Sequence, residues 1–242
     1  MGDIRKDTAK KKQQKLIICA AIVVCCLLMA LVDGYLRPPY AVKAAGKVVL
    51  FLGVPLLYSR LVLCQDGPGG MVTDGILSVL RPDKKALILG LALGAGTMLV
   101  ILGGYALLSP WLDLSAIPAA MAANGGITAD NFLWVGSYIA LCNSLLEEIF
   151  FRGFAFLMLK KVSSRRFAYV ASAAGFSLYH AAIVDGWVSP LLFGLMLTAL
   201  FVCGLFFNWL DERRERIWVA WLMHACANVA INAIGMVLLG MI

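Results

Sequence analysis

Two adjacent carboxylates, Glu147 and Glu148, stand inside the apolar run 132–158, with Arg152 four positions after the second. A charged side chain near a bilayer centre costs at least about 2.5 kcal/mol even on lenient insertion scales, so such groups are rare and mark function. On a helix, Glu148 and Arg152 are i,i+4 neighbours and can pair, while Glu147 points about 100° away. One arginine cannot fully compensate two acids, so the sequence leaves Glu147 as a carboxylate without an evident partner. Such a group can act as general base on water.

The chain has two histidines, and both lie in apolar runs. His180 follows Phe176 by one turn in FSLYHAA. His224 precedes Asn228 by one turn in WLMHACAN, and Asn232 lies a turn further on. Residues four apart share a helix face, so His224 and Asn228 present two hydrogen-bonding groups to one point. Asn143 sits one turn before Glu147 on the same side. Lipid exposure would be costly for each of these polar stripes, so all three should face the bundle interior, where they can meet. A carboxylate, two imidazoles and a carboxamide in a wet cavity suit hydrolysis of an amide without a covalent intermediate. In such a set a Glu can act as general base on water, a His can share or relay the proton, and a His with an Asn can donate to a developing oxyanion.

Each position also has a plainer reading. Glu148 and Arg152 can pair simply to hold the helix in shape. A lone His or Asn in an apolar helix can be interhelical glue, and Phe176 can be packing or the wall of a substrate groove. Glu147, His180 and His224 could also bind zinc, although the H-E-x-x-H arrangement is absent. The preferred chemistry requires no cofactor.

The elements that must position these residues are transmembrane helices. Of the 242 residues 62% are hydrophobic and 14% charged, against roughly 25% charged in soluble domains. Seven apolar runs are long enough to span, at 16–32, 44–64, 86–108, 132–158, 167–183, 188–210 and 217–242. The expected fold is all-α and polytopic, with a basic cytoplasmic tail at 1–15 and one helical membrane domain at 16–242. The run 16–32 is long for a signal peptide and has no cleavage site after it, so it reads as a retained first helix.

Basic residues alternate between connections. Six precede the first run, and Arg60, Arg81, Lys84 and Lys85 separate the second from the third. Lys160, Lys161, Arg165 and Arg166 follow the fourth run, and Arg213, Arg214 and Arg216 follow the sixth. The connection after the first run carries only Arg37, Lys43 and Lys47. This alternation places the N-terminus in the cytoplasm, and it assigns the net charge of +7 to topology, excluding nucleic acid as the partner. The long connection 65–85 contains Gly67, Pro68, Gly69 and Gly70, then a short apolar piece, 76–80, that reads as a surface-lying helix. Residues 109–130 read as an outer cap. Seven cysteines at no metal-like spacing read as small buried apolar residues. Gly90 and Gly94, at the G-x-x-x-G spacing, read as a close intramolecular helix contact, with a dimer face as the alternative.

The three motifs Glu147–Glu148–x-x-x–Arg152, Phe176–x-x-x–His180 and His224–x-x-x–Asn228, in that order on late helices, resemble the CPBP family. It comprises CAAX prenyl protease type II enzymes, bacterial relatives and bacteriocin-processing or immunity proteins. The resemblance covers a core at about 130–235. It implies an intramembrane glutamic endopeptidase in which Glu147 activates water with His180, while His224 and Asn228 stabilise the oxyanion. Glu148, Arg152 and Phe176 would support them. The substrate would be a membrane-associated protein or peptide within the lipid bilayer, and the protein would be multi-pass, in the plasma membrane if bacterial. The rival reading is a non-catalytic scaffold or self-immunity protein of the same family.

One geometric condition must be met. At about 1.5 Å per residue, His224 lies about 10 Å from the inner end of its helix and Glu147 about 20 Å from Lys160. Tilt or projection of the fourth helix has to absorb the difference, with the cavity in the cytoplasmic half of the membrane.

Overall fold

The computed structural model describes residues 2–63, 75–81 and 83–242. The glycine-rich stretch 67–70 and Cys64 lie outside the described residues. Helix α1 runs over Gly2–Ala30 and continues in wider turns over Leu31–Leu36. It stops where Arg37 turns left-handed (φ 43°) before Pro38 and Pro39, which cannot supply helical amide donors. Next come α2 (Tyr40–Leu63), the short α3 (Ile76–Val79), α4 (Lys84–Leu108) and α5 (Ile117–Gly125). Residues 132–162 form α6, followed by α7 (Arg165–Ala181), α8 (Pro190–Glu212) and α9 (Trp218–Leu238). The described residues contain no strand.

Local signals set several boundaries. The Asp83 carboxylate caps α4 by accepting from the amides of Lys85 and Ala86. The Ala86 amide bond, helped by Arg214, holds that exposed carboxyl below the usual carboxylate range. Ser164 caps α7 through the Phe167 amide, and Pro190 opens α8.

Among the described residues five helices are long and apolar enough to cross a membrane, against the seven expected: Asp7–Leu36, Tyr40–Leu63, Lys84–Trp111, Pro190–Glu212 and Trp218–Leu238. The other two long helices are those that carry the first two polar motifs. Glu147, Glu148 and Arg152 interrupt the apolar run of α6, and α7 has only 17 residues, opening on two arginines.

Helix α6 is the axis of the bundle. Its first half packs against α9, and its second half is enclosed by α1, α2, α3, α7 and α8. Every residue from Ile149 to Met158 is buried. Phe150, Phe151, Phe154 and Phe156 are wholly inaccessible and mesh with aromatic partners from two helices. Phe51 of α2 stacks on Phe150 with centroids 4.5 Å apart, Tyr58 meets Phe154 at 5.3 Å, and Phe176 of α7 meets Phe151 at 5.4 Å. In lipid such packing replaces the hydrophobic effect as the force between helices, and each aromatic pair adds about 0.5–1.5 kcal/mol.

Three expectations need correction. The segment around 76–80 is not surface-lying: Ile76 and Val79 are buried against α6, where a Cβ on Gly153 would come within 2.8 Å of Ile76 Cδ1. A glycine on the axis thus creates the notch into which α3 fits. Lys43 and Lys47 are not loop residues, because α2 starts at Tyr40 and buries both side chains. Nor are all the cysteines buried, since Cys142 and Cys203 lie on exposed faces.

Gly90 and Gly94 face α9 within the same chain. A Cβ at Gly94 would stand 2.6 Å from Cys226 Sγ and 3.2 Å from the Leu222 carbonyl, whereas one at Gly96 would meet nothing within 4 Å. Gly94→Ala should therefore cost about 1–3 kcal/mol of overpacking, and Gly96→Ala should be tolerated. Thermal unfolding in detergent checks this. Equal midpoints for the two variants would mean that α4 does not dock through this face.

Candidate active site

The polar groups of three helices meet where the two halves of α6 join. The α-helical turn Ser144–Glu148 is flanked by wider π-helical turns at Ile139–Asn143 and Ile149–Met158. Such widened turns are frequent at functional sites. Glu147 and Glu148 leave this turn in different directions, as their neighbouring positions require.

Glu148 belongs to α9 and to Arg152. Its Oε1 lies 2.8 Å from His224 Nδ1, and its Oε2 lies 3.1 Å from Arg152 Nε. Both members of the arginine pair are completely inaccessible. The guanidinium is also sandwiched between aromatic faces, 4.1 Å from the Phe176 centroid and 5.1 Å from that of Phe207. Phe176 is thus the floor under Arg152, and its edge contacts the rings of His180 and His224.

Glu147 faces the other way, with its side chain 2% exposed. Oε1 accepts from Asn143 Nδ2 at 2.8 Å and from the Tyr179 hydroxyl at 3.2 Å, and it lies 3.5 Å from Lys47 Nζ. This corrects the expectation of an unpartnered acid. Oε2, by contrast, has no hydrogen-bond partner. It points between two imidazoles, 3.6 Å from His180 Nε2 and 3.8 Å from His224 Nε2. These three atoms converge although their residues stand at different distances from their helix ends.

Ring orientation follows from the far nitrogens. His180 Nδ1 lies 2.7 Å from the Phe176 carbonyl, which can only accept, so Nδ1 carries the proton. In its neutral form His180 therefore turns an unprotonated Nε2 toward Glu147. His224 Nδ1 likewise donates to Glu148. The two rings aim their Nε2 atoms at one carboxylate oxygen. The His180 side chain is the most open of the cluster, at 16% exposure, so approach is from its side.

Asn228 is not drawn into this cluster. Its Nδ2 donates to the Ile139 carbonyl at 3.3 Å, and one turn on, Asn232 donates to Gly136 at 2.8 Å. The two asparagines rivet α9 to the first half of α6. Sequence reasoning missed Lys47, Tyr179 and Asp211. The wholly buried Asp211 accepts the Ala220 amide near the start of α9 and interacts electrostatically with Arg152 and Glu148. Among the described residues, no group of three or more His, Cys, Asp or Glu side chains is arranged to hold a metal ion.

Residues 129–230 match the family described as type II CAAX prenyl endopeptidase Rce1-like. This segment is similar to the Rce1-like domain of that family. It contains all three motifs, and the five spanning helices mark the protein as a multi-pass membrane protein. No curated protein and no solved structure matches the chain.

The Rce1-like segment rests on a buried charge pair, which gives a stability test. Arg152→Met leaves Glu148 uncompensated and should cost about 3–5 kcal/mol, while Arg152→Met combined with Glu148→Gln should recover much of that loss. Thermal midpoint and monodisperse yield in detergent are the measurements. A single variant as stable as the wild type would contradict the pairing.

Proposed function

We propose that the protein is an intramembrane endopeptidase that hydrolyses a peptide bond of a membrane-associated protein or peptide, with Glu147 as the base. The observation that carries this reading is the unpartnered Glu147 Oε2 set between two imidazole Nε2 atoms, 3.6 Å and 3.8 Å away. A water molecule in that gap has one strong acceptor in Oε2 and a second in His180 Nε2, and both draw its protons away from the attacking oxygen.

Glu147 takes a proton from the water as its oxygen bonds to the scissile carbonyl carbon. The carbonyl π electrons move to oxygen, giving a tetrahedral oxyanion. In its imidazolium form, with Nδ1 held by Glu148, His224 donates from Nε2 to that oxyanion. Asn228 is the second donor, after its amide leaves the single 3.3 Å bond to Ile139. The proton held by Glu147 then passes to the leaving nitrogen, the carbon–nitrogen bond breaks, and an acid and an amine are released. No protein acyl intermediate forms. The family match to type II CAAX prenyl endopeptidases supports both the reaction class and a lipid-anchored substrate.

Glu147→Gln preserves shape and removes the base. It should lower the cleavage rate of a membrane-anchored peptide in proteoliposomes by about 100-fold to 10,000-fold at normal abundance. Asn228→Ala should lower it by about 100-fold to 1,000-fold. Chelator treatment of the wild type should leave the rate unchanged. Cleavage by Glu147→Gln at the wild-type rate would favour the non-catalytic scaffold, and chelator sensitivity would favour zinc held by Glu147, His180 and His224.

A further inference from the structure

Lys47 lies on α2, well outside the Rce1-like segment, yet it reaches the centre of the site. Its side chain is 9% exposed. Nζ donates to Asn143 Oδ1 at 2.8 Å and lies 3.5 Å from Glu147 Oε1, and Asn143 Nδ2 donates to that same oxygen at 2.8 Å. Lys47, Asn143 and Glu147 therefore form a closed triangle. Tyr179 adds a third donor to Oε1 at 3.2 Å, and its ring lies 5.3 Å from Nζ.

All these donors converge on one oxygen and leave the other bare. The terminal torsion of a glutamate is broad and roughly two-fold, so its two oxygens are interchangeable unless the surroundings distinguish them. A cation and two neutral donors on Oε1 distinguish them here. Asn143 and Tyr179 are neutral, so Lys47 supplies the only full positive charge in the clamp. Glu148 with Arg152 forms a second acid–base pair alongside. Each acid thus faces its own cation, and neither pair must borrow from the other.

We infer that Lys47 is a positioning residue of the hydrolytic site: it clamps Oε1 of Glu147, fixes the rotation of the carboxylate, and so aims Oε2 at the gap between His180 and His224. This rests on the reading of Glu147 as the base. Lys47 acts through Glu147 and Asn143, the two side chains its ammonium reaches. Through this contact α2, which the family match does not reach, becomes part of the catalytic machinery.

The test uses the full chain in proteoliposomes with a membrane-anchored peptide. Lys47→Met should lower kcat by about 100-fold, the scale of an ångström-sized misplacement, with KM unchanged. Lys47→Arg, which restores the cation with a different shape, should recover part of that loss. If Lys47 merely ties α2 to α6, both variants lose activity only in proportion to folded yield, and kcat per folded molecule stays at the wild-type value. That result overturns the inference. A second measurement needs no activity. Thermal midpoints of Lys47→Met, Glu147→Gln and the double variant should be non-additive by at least about 2 °C, because Glu147→Gln relieves an uncompensated charge only when Lys47 is gone. Additive midpoints would dissolve the clamp whatever the activity. Failure of the proposed hydrolysis would look different, as an inactive wild type with the coupling intact.

Discussion

Two carboxylates on consecutive residues cannot be buried in an apolar bundle unless each finds its own counter-charge, and the rest of this structure follows from that constraint. A chemically simpler helix would have placed both acids against one arginine. Here the acids diverge by the angular step between adjacent helical positions, and each recruits a different set of helices. Glu148 takes Arg152 and His224, joining the axis to α9. Glu147 takes Lys47, Asn143 and Tyr179, joining the axis to α2 and α7. A buried pair contributes little net stability against an apolar replacement, but removing one partner is expensive. The arrangement therefore specifies geometry more than it adds stability, and the geometry it specifies is one bare carboxylate oxygen facing two ring nitrogens.

Rigid packing keeps that oxygen in place. The phenylalanines that follow Glu148 on α6 mesh with Phe51, Tyr58, Phe176 and Tyr179, so the turn bearing both acids is anchored immediately behind the site. Tyr179 serves both layers, with its ring in the aromatic cluster and its hydroxyl on Glu147. On the opposite side, the small residues of α4 let α9 approach closely, and Asn228 and Asn232 pin α9 to α6. His224 thus enters the site on a helix held from two directions.

The motif residues were legible in the sequence because charge and imidazole are conspicuous in apolar runs, where their cost demands a reason. The all-helical class and the order of the long helices were legible from hydropathy, although five rather than seven of the described helices are long and apolar enough to span; the close contact made by Gly90 and Gly94 was legible too. Lys47 was not. A lysine near the edge of the run 44–64 reads as a charge that sets topology, and only its partners on α6 show that it points inward. Tyr179 was hidden because an aromatic residue in an apolar helix looks like packing until its hydroxyl has a partner. The helical burial of 76–79 depended on the notch at Gly153, some 75 residues away in sequence, which no local pattern encodes. Asn228 was read as sharing one point with His224, whereas its amide reaches the Ile139 carbonyl, because periodicity cannot say whether an amide meets substrate or a neighbouring carbonyl.

The central claim concerns one water molecule. An experimental structure of the full chain in a lipid nanodisc, at a resolution that shows ordered water, tests it most directly. The account predicts a water about 2.6–3.2 Å from both Glu147 Oε2 and His180 Nε2, with His224 Nε2 turned toward the same gap. A dry gap closed by apolar side chains, or Oε2 taken up by a protein donor, would contradict it.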